Sequence, residues 1–234
     1  MSTTESLLSL LQESGAQGCD EEIVQAALEQ FALTGVRRTS TDDIARRAGV
    51  NRATVYRRLG PRSDIVGTAF LYEAGRVLSA IESELPDEID DVDAYIVAFF
   101  TTTLTTLREN VLLQRLLDVD RDETLHALTL QAGPVLSLAS AYVAEHVRRI
   151  RATVDRRNDP DRSAPDGTVP DAGVSNGGVS GGGVSDDGVA ALSDTLARLT
   201  QSLLLTPDAG PPLSTPQEMR AYAEQILVPM IRGR

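Results

Sequence analysis

The run TDDIARRAGVNRATVY, residues 41–56, contains two helix starts separated by one glycine. Ser40 stands before the first helix as an N-cap, and Asp43 follows three residues later at the capping-box spacing. Gly49 provides the turn, and Asn51 caps the second helix, which we expect to end near Leu59. Two short helices joined by such a turn are typical of a helix-turn-helix.

A third helix is predicted upstream of this run. Its apolar stripe comprises Ile23, Ala26, Ala27 and Phe31, and Gly35 is expected to end it in a left-handed conformation. No convincing alternating strand pattern occurs along the chain. The fold class predicted is therefore all-α, with an N-terminal three-helix helix-turn-helix domain and a larger helical bundle behind it for ligand binding and dimerisation.

The charge distribution indicates what the N-terminal helices contact. The net charge is -12, with 34 acids against 22 bases, all of them arginine. Yet residues 36–62 hold eight arginines and only the acids Asp42 and Asp43, which leaves 14 bases against 32 acids for the rest. One basic segment on an otherwise acidic chain favours contact with phosphate at that segment alone.

The helix after Asn51 carries residues suited to reading DNA. Arg52 can bind guanine in a bidentate manner, and the small Ala53 allows contact with a thymine methyl group. Hydroxyl and guanidinium groups nearby are suited to phosphates. The predicted DNA contacts are Ser40, Thr41, Arg52, Ala53, Thr54, Tyr56, Arg57 and Arg62.

Residues 41–56, continued to Arg62 and Ile65, resemble the N-terminal signature of the TetR family of regulators. The matching features are an Ile-Ala pair, an Ala-Gly-Val turn, a Thr-x-Tyr in the recognition helix and a basic residue at the start of the fourth helix. Leu59-Gly60-Pro61 departs from that signature, which has an aromatic residue there. The resemblance covers roughly residues 20–66. It implies a homodimer that binds a palindromic operator in double-stranded DNA, with the last two helices pairing across the two-fold axis.

Helical periodicity continues beyond this domain. Helices are predicted near residues 62–85, 91–110, 111–119, 122–154 with a bend at Gly133-Pro134, 188–205 and 215–231. Residues 158–187 are rich in Gly, Ser, Asp and Pro and are interpreted as a flexible linker. The expected division is a tail over 1–19, the helix-turn-helix domain over 20–66, and an effector-binding and dimerisation domain over 67–234.

Polar and aromatic residues on the later helices are candidates for a small-molecule pocket. Their spacing is compatible either with convergence on a mostly apolar cavity or with ordinary core positions. The candidates are Tyr95, Phe99, Thr102, Thr103, Thr106, His126, Gln131 and Tyr142. The acids around His126 are interpreted as a solvated surface, so neither a metal site nor a cofactor is predicted.

The function predicted is a dimeric transcriptional repressor of the TetR type, released from its operator by an unidentified small-molecule effector. The alternative is a constitutive DNA-binding dimer without a ligand. An enzyme is disfavoured, since the chain lacks a phosphate-binding glycine loop and metal-ligand spacing. No apolar run approaches the ~20 residues of a membrane span, so we expect a cytoplasmic protein with no membrane partner.

Overall fold

The computed structural model describes residues 19–158 and 186–232, and within these residues it is helical with no strand. The all-α fold class is therefore confirmed. The helices are α1 Cys19–Thr34, α2 Thr41–Arg47, α3 Arg52–Leu59, α4 Arg62–Glu84, α5 Val92–Glu109, α6 Val111–Val119, α7 Arg121–Thr129, α8 Gly133–Asn158, α9 Asp186–Leu205 and α10, which comprises Pro216–Tyr222, Ala223–Leu227 and Val228–Arg232.

The three N-terminal helices and the start of α4 share one apolar core. Phe31, Ile44, Val55 and Ile65 are almost completely buried in it, one from each helix. The predicted caps are confirmed: Ser40 and Asp43 form the capping box of α2, and the Asn51 side chain accepts from the Thr54 N–H. α1 ends at a left-handed Gly35, and Gly49 makes the turn between α2 and α3.

The larger helical body is built on α4, α5, α8, α9 and α10. α8 packs along α9, while α5 contacts α4, α8 and α10. Ile96 and Leu104 of α5 and Ile150 of α8 are fully buried in this core. A smaller cluster around Ile81 and Leu138 joins α4 to α8. α6 stands between the two parts, because its Leu116 is buried in the N-terminal core.

The helix predicted over 122–154 is two helices. α7 and α8 are separated at residues 130–132 and meet at an angle of 55°. The prediction of one bent helix was wrong because Pro134 has no N–H to donate to residue 130, so the chain restarts with Gly133-Pro134 in the first turn of α8. α1 begins at Cys19, so Asp20, which the sequence suggests as the N-cap of this helix, lies in its first turn instead.

α10 contains a π-helical turn at Ala223–Leu227 instead of the continuous α-helix predicted over 215–231. Met219, Ala223, Leu227 and Ile231 are all buried at a constant spacing of four residues. In an α-helix each such step drifts by about 40° around the axis. The wider π turn offsets part of that drift and keeps all four residues on the core face.

The apolar stripes of the last two helices mostly face their own protomer. Leu196, Leu203 and Met219 are buried, and Leu192, Leu199, Tyr222 and Met230 pack against the same core. Ile226, which is 41% exposed, is the member of the stripes that points to solvent. Packing within one protomer therefore explains most of the apolar residues in these two helices.

Two sequence predictions fall largely outside the described residues. Residues 1–18 of the predicted tail and residues 159–185 of the predicted linker are not described; Asn158 belongs to α8, and Asp186 begins α9. In the part that is described, no single helix has the length and hydropathy of a membrane span, although α7 and α8 taken together across their bend meet that criterion.

Candidate nucleic-acid interface and internal cavity

α3 presents a continuous polar face to solvent. Val55 and Leu59 are buried against the N-terminal core, while Arg52, Ala53, Tyr56 and Arg57 are exposed on the opposite side. Tyr56 is 64% exposed, so both its ring and its hydroxyl are accessible at the surface. The predicted DNA contacts on α3 thus lie together on one accessible surface, which we call the recognition face.

The arginines of the basic segment differ in how they are engaged. Arg52 Nη1 lies 3.2 Å from Asp42 Oδ2, and Arg58 Nη1 lies 3.4 Å from Asp20 Oδ1. Arg47 donates to Glu29 at 2.9 Å. Arg57 makes no hydrogen bond or ion pair within residues 19–158 and 186–232. Among the described residues, Arg57 thus has no partner to lose on contact with a ligand, whereas Arg52 would have to exchange Asp42.

The hydroxyl residues at the start of α2 and α3 are part of the caps. Ser40 Oγ and Asp43 Oδ2 are 2.6 Å apart, and Ser40 also accepts from the Asp43 N–H. The bonds from Ser40 hold the pKa of the Asp43 carboxyl below its ordinary value. Thr41 and Thr54, the first residue of α2 and the third of α3, are half-buried. The Arg52–Asp42 ion pair holds the start of α2 close to the start of α3, and both helix starts carry partly positive N–H groups.

Arg62 is held against the protein backbone. Its Nε donates to the Thr39 carbonyl at 3.2 Å, and its Nη2 donates to the Val36 carbonyl. The residue opens α4, so these bonds tie that helix to the loop between α1 and α2. This geometry favours a positioning role for Arg62 over the direct phosphate contact predicted from sequence.

Asp120 attaches the larger body to the same loop. Its Oδ2 accepts from the Arg37 N–H at 2.8 Å, and Arg38 Nη2 lies 3.4 Å from the Val119 carbonyl. Gly35 has φ +86, and a Cβ there would lie 2.8 Å from Asp120 Cβ. The corner between α6 and α7 therefore fits directly against the loop that precedes α2.

A cavity of about 520 Å³ lies between α4, α5, α6, α7, α8 and α9. Its size is within the usual range for a small-molecule site. Most of its lining is aliphatic or aromatic: Val66, Phe70, Val77, Leu78, Ile81, Phe99, Leu107, Leu112, Leu113, Leu116, Leu128 and Leu136 contribute among others. Polar lining comes from Glu73, Asn110, Glu123, Gln131 and Gln201, with Arg62 at one end.

The structure divides the predicted pocket residues into two groups. Phe99, Thr103, Gln131 and Tyr142 line the cavity. Tyr95, Thr102, Thr106 and His126 do not: Tyr95 is buried in the core, and His126 is exposed on α7. The assignment failed for the second group because helical spacing alone does not say which face of α5 or α7 meets the other helices.

A buried polar cluster lies beside the cavity wall. His146 is fully buried; its Nδ1 lies 2.8 Å from the Tyr95 hydroxyl, and its Nε2 lies 3.1 Å from Glu82 Oε2, outside good hydrogen-bond alignment. The Tyr142 hydroxyl donates to the same Glu82 oxygen at 2.9 Å. The pKa of Glu82 is lowered from its ordinary value, chiefly by His146. Burial raises the pKa of Tyr95 to about 12.

Sequence reasoning missed the residues of α4 that line the cavity. Val66, Phe70, Glu73 and Ala74 line the cavity, and Val66 and Phe70 also pack against the N-terminal core that buries Ile65 and Ala69. The signal was present in the sequence, because α4 carries apolar residues on more than one face. Asn110 was taken only as the end of α5, yet its side chain caps α6 at the cavity wall.

The fold and the recognition face together have the geometry of a helix-turn-helix domain with an appended helical body. Residues 23–62 match the family model described as "Bacterial regulatory proteins, tetR family". Residues 23–62 therefore match the N-terminal domain of that family, and the helical fold of the chain is similar to that of a solved family member.

The similar proteins bear names of transcriptional regulators, which are not enzymes. The transcriptional repressor Rv3405c of Mycobacterium tuberculosis is 33% identical over 76 residues, 32% of this chain and only 40% of its own length. The TetR-family repressor AlkX from Dietzia sp., described as implicated in biodegradation of n-alkanes, has a TM-score of 0.62 at 12% identity, covering 94% of this chain and 97% of that one. The transcriptional repressor QsdR of R. erythropolis has a TM-score of 0.55 at 18% identity, covering 91% of this chain and 93% of that one. The two structures show the shared fold.

Proposed function

We propose that this chain is a transcriptional repressor that binds a palindromic operator as a homodimer and releases it when a small molecule occupies the cavity. The observation that carries the proposal is the recognition face, where Tyr56 and the unengaged Arg57 are exposed on a helix capped and oriented by the N-terminal core. Phosphate contacts supply affinity, and base contacts from Arg52 and Ala53 supply sequence preference.

Charge supports DNA as the partner of this face. The basic segment stands on a chain of net charge -12, so the acidic remainder is repelled by phosphate and only the N-terminal helices approach DNA closely. In the proposed dimer, α9 and α10 contribute the contact between copies, with Ile226 as its exposed apolar residue. Two recognition helices then meet half-sites about one helical turn, ~34–36 Å, apart.

Two attachments link the cavity to the recognition face. Arg62 lines the cavity and holds the carbonyls of Val36 and Thr39. α6 lines it through Leu112, Leu113 and Leu116, and the following corner holds the Arg37 N–H through Asp120. A ligand that moves α4 or α6 therefore changes the position of the helix-turn-helix, provided that it binds one arrangement more tightly than the other.

The proposal is tested by selecting genomic fragments with the purified protein, sequencing them, and titrating the best fragment against salt. We expect a palindromic motif whose affinity falls steeply with salt concentration. Arg57→Ala is expected to weaken binding to every fragment, while Arg148→Ala, an exposed arginine on α8, is the matched control and leaves binding unchanged. Salt-sensitive binding without any motif would contradict sequence-specific regulation, and no binding would refute the proposal altogether.

A further inference from the structure

The cavity and the N-terminal core have part of one wall in common. Four apolar residues line the cavity and also pack with the N-terminal core: Val66 and Phe70 of α4, and Leu112 and Leu116 of α6. We call these four residues the shared wall. They place the cavity directly behind the helices that carry the recognition face.

The shared wall is packed by protein on its N-terminal side and borders the cavity on the other. Leu116 is almost completely buried, whereas Val66, Phe70 and Leu112 are half-buried. A side chain that borders a void has no partner atoms on that side, so it makes fewer dispersion contacts than one surrounded by protein. An occupant of the cavity supplies the missing contacts and acts on the packing of the wall.

The core behind the shared wall holds the helix-turn-helix together. Ile44 of α2 and Val55 of α3 are almost completely buried in the same cluster as Leu116. Protein interiors are close-packed and transmit strain from one side chain to the next. A change in the wall therefore reaches α2 and α3 through packed side chains, independently of the hydrogen bonds made by Arg62 and Asp120.

Phe70 is the largest side chain of the shared wall. Phe99 lines the same cavity, but it packs in the cluster that contains Ile81 and Leu138. The two phenylalanines thus border one cavity and belong to different cores. This difference separates an effect on the helix-turn-helix from a general effect of cavity packing.

We propose that Phe70, within the shared wall, is the positioning residue through which an occupant of the cavity acts on the helix-turn-helix. The occupant completes the packing around Phe70 and holds the N-terminal core in an arrangement that binds the operator less tightly. This inference rests on the proposed function, because the occupant is the effector of that proposal.

Gly67 allows the cavity to be filled without an identified ligand. It lines the cavity one turn before Phe70 on α4, and a Cβ added there meets nothing within 4 Å. Gly75 of the same helix does not line this cavity, and a Cβ added there also meets nothing within 4 Å. Gly67→Leu and Gly75→Leu therefore gain similar helix propensity but differ in whether the new side chain borders the cavity.

Amide hydrogen exchange of the full chain, measured by mass spectrometry, follows the local stability of the N-terminal core. We expect exchange in α1–α3 to be about tenfold slower in Gly67→Leu than in Gly75→Leu, because the added side chain packs on the shared wall. Gly67→Ala should show a smaller change in the same direction. Operator affinity should be about tenfold lower in Gly67→Leu than in Gly75→Leu.

A second pair of variants tests Phe70 itself. The slowing caused by Gly67→Leu should be largely lost in a Phe70→Leu background and retained in a Phe99→Leu background. Retention in both backgrounds would overturn the inference, as would equal exchange, or equal operator affinity, in Gly67→Leu and Gly75→Leu. Exchange is measured without DNA, so a wild-type protein that binds no operator refutes the proposed function, and the exchange comparison then decides the role of Phe70 by itself.

Discussion

Asp120, at the corner between α6 and α7, accepts a hydrogen bond of 2.8 Å from the backbone N–H of Arg37 in the loop between α1 and α2. Arg62 holds the carbonyls at either end of the same loop segment, at Val36 and Thr39. The loop that precedes the helix-turn-helix is thus held on one side by α4 and on the other by the α6–α7 corner.

Gly35→Ala is expected to destabilise the protein by about 1–3 kcal/mol. The substitution places a Cβ at φ +86 and brings it within 2.8 Å of Asp120. Gly49→Ala is the matched control, since Gly49 has φ +68 but nothing within 4 Å of the added Cβ. Urea unfolding should show a larger loss of unfolding free energy for Gly35→Ala than for Gly49→Ala. Equal losses would mean that the contact with Asp120 contributes nothing beyond backbone strain.

Arg62→Ala is expected to lower the free energy of unfolding by about 1–3 kcal/mol, because two backbone carbonyls lose a charged donor. DNA affinity should fall by a similar factor for every sequence, since the change acts on the position of α2 and α3. Arg37→Ala is the control, because it removes a neighbouring exposed guanidinium and keeps the backbone N–H that Asp120 binds. A change in base preference with Arg62→Ala would contradict a positioning role.

Arg52→Ala and Arg57→Ala are expected to differ in their effect on sequence preference. If Arg52 reads a base as proposed, its loss should cost about 1–3 kcal/mol for the preferred base pair and relax selection there. Arg57 should act on all sequences and reduce the salt dependence of binding. Anisotropy titrations on operators that vary at one position separate the two results; a uniform loss for both variants would refute base reading by Arg52.

Glu82→Gln is expected to destabilise the protein at neutral pH and to have a smaller effect in acid. The folded-state pKa of Glu82 is lowered by His146, so its contribution to stability is present above the ordinary value of 4.5 and is lost as the pH falls through the lowered value. Urea unfolding of the wild type and the variant at about pH 7 and about pH 4 checks this. Glu84→Gln, on the same helix, should differ from the wild type by the same unfolding free energy at both pH values. A difference between the wild type and Glu82→Gln that is larger in acid would contradict the prediction.

The N-terminal helices could be predicted closely because their signals are local. The caps at Ser40 and Asn51 and the glycines at 35 and 49 each act within a few residues, so the sequence alone contains the information. The exposed face of α3 followed from the same reasoning, once Val55 and Leu59 were placed in the core.

The cavity could be predicted only in part, because it depends on contacts between distant helices. Tyr95 and Phe99 are one turn apart on α5 and both contact His146, yet only Phe99 also reaches the cavity. The engagement of Arg62 with Val36 and Thr39 was likewise invisible, because the bonds join residues more than twenty positions apart. Such pairings depend on the packing of α4, which no local pattern specifies.

The π turn in α10 also determines how the end of the chain is oriented. Met219 precedes the π turn, Ala223 begins it, Leu227 ends it and Ile231 follows it. All four side chains are buried in one core. Removing a single residue from 223–227 would restore an ordinary winding and rotate everything downstream by about 100°. Ile231 would then leave the interior, and Met230 would point in another direction. The length of residues 223–227, as much as their composition, therefore determines which surface the last helix presents to a second copy in the proposed dimer.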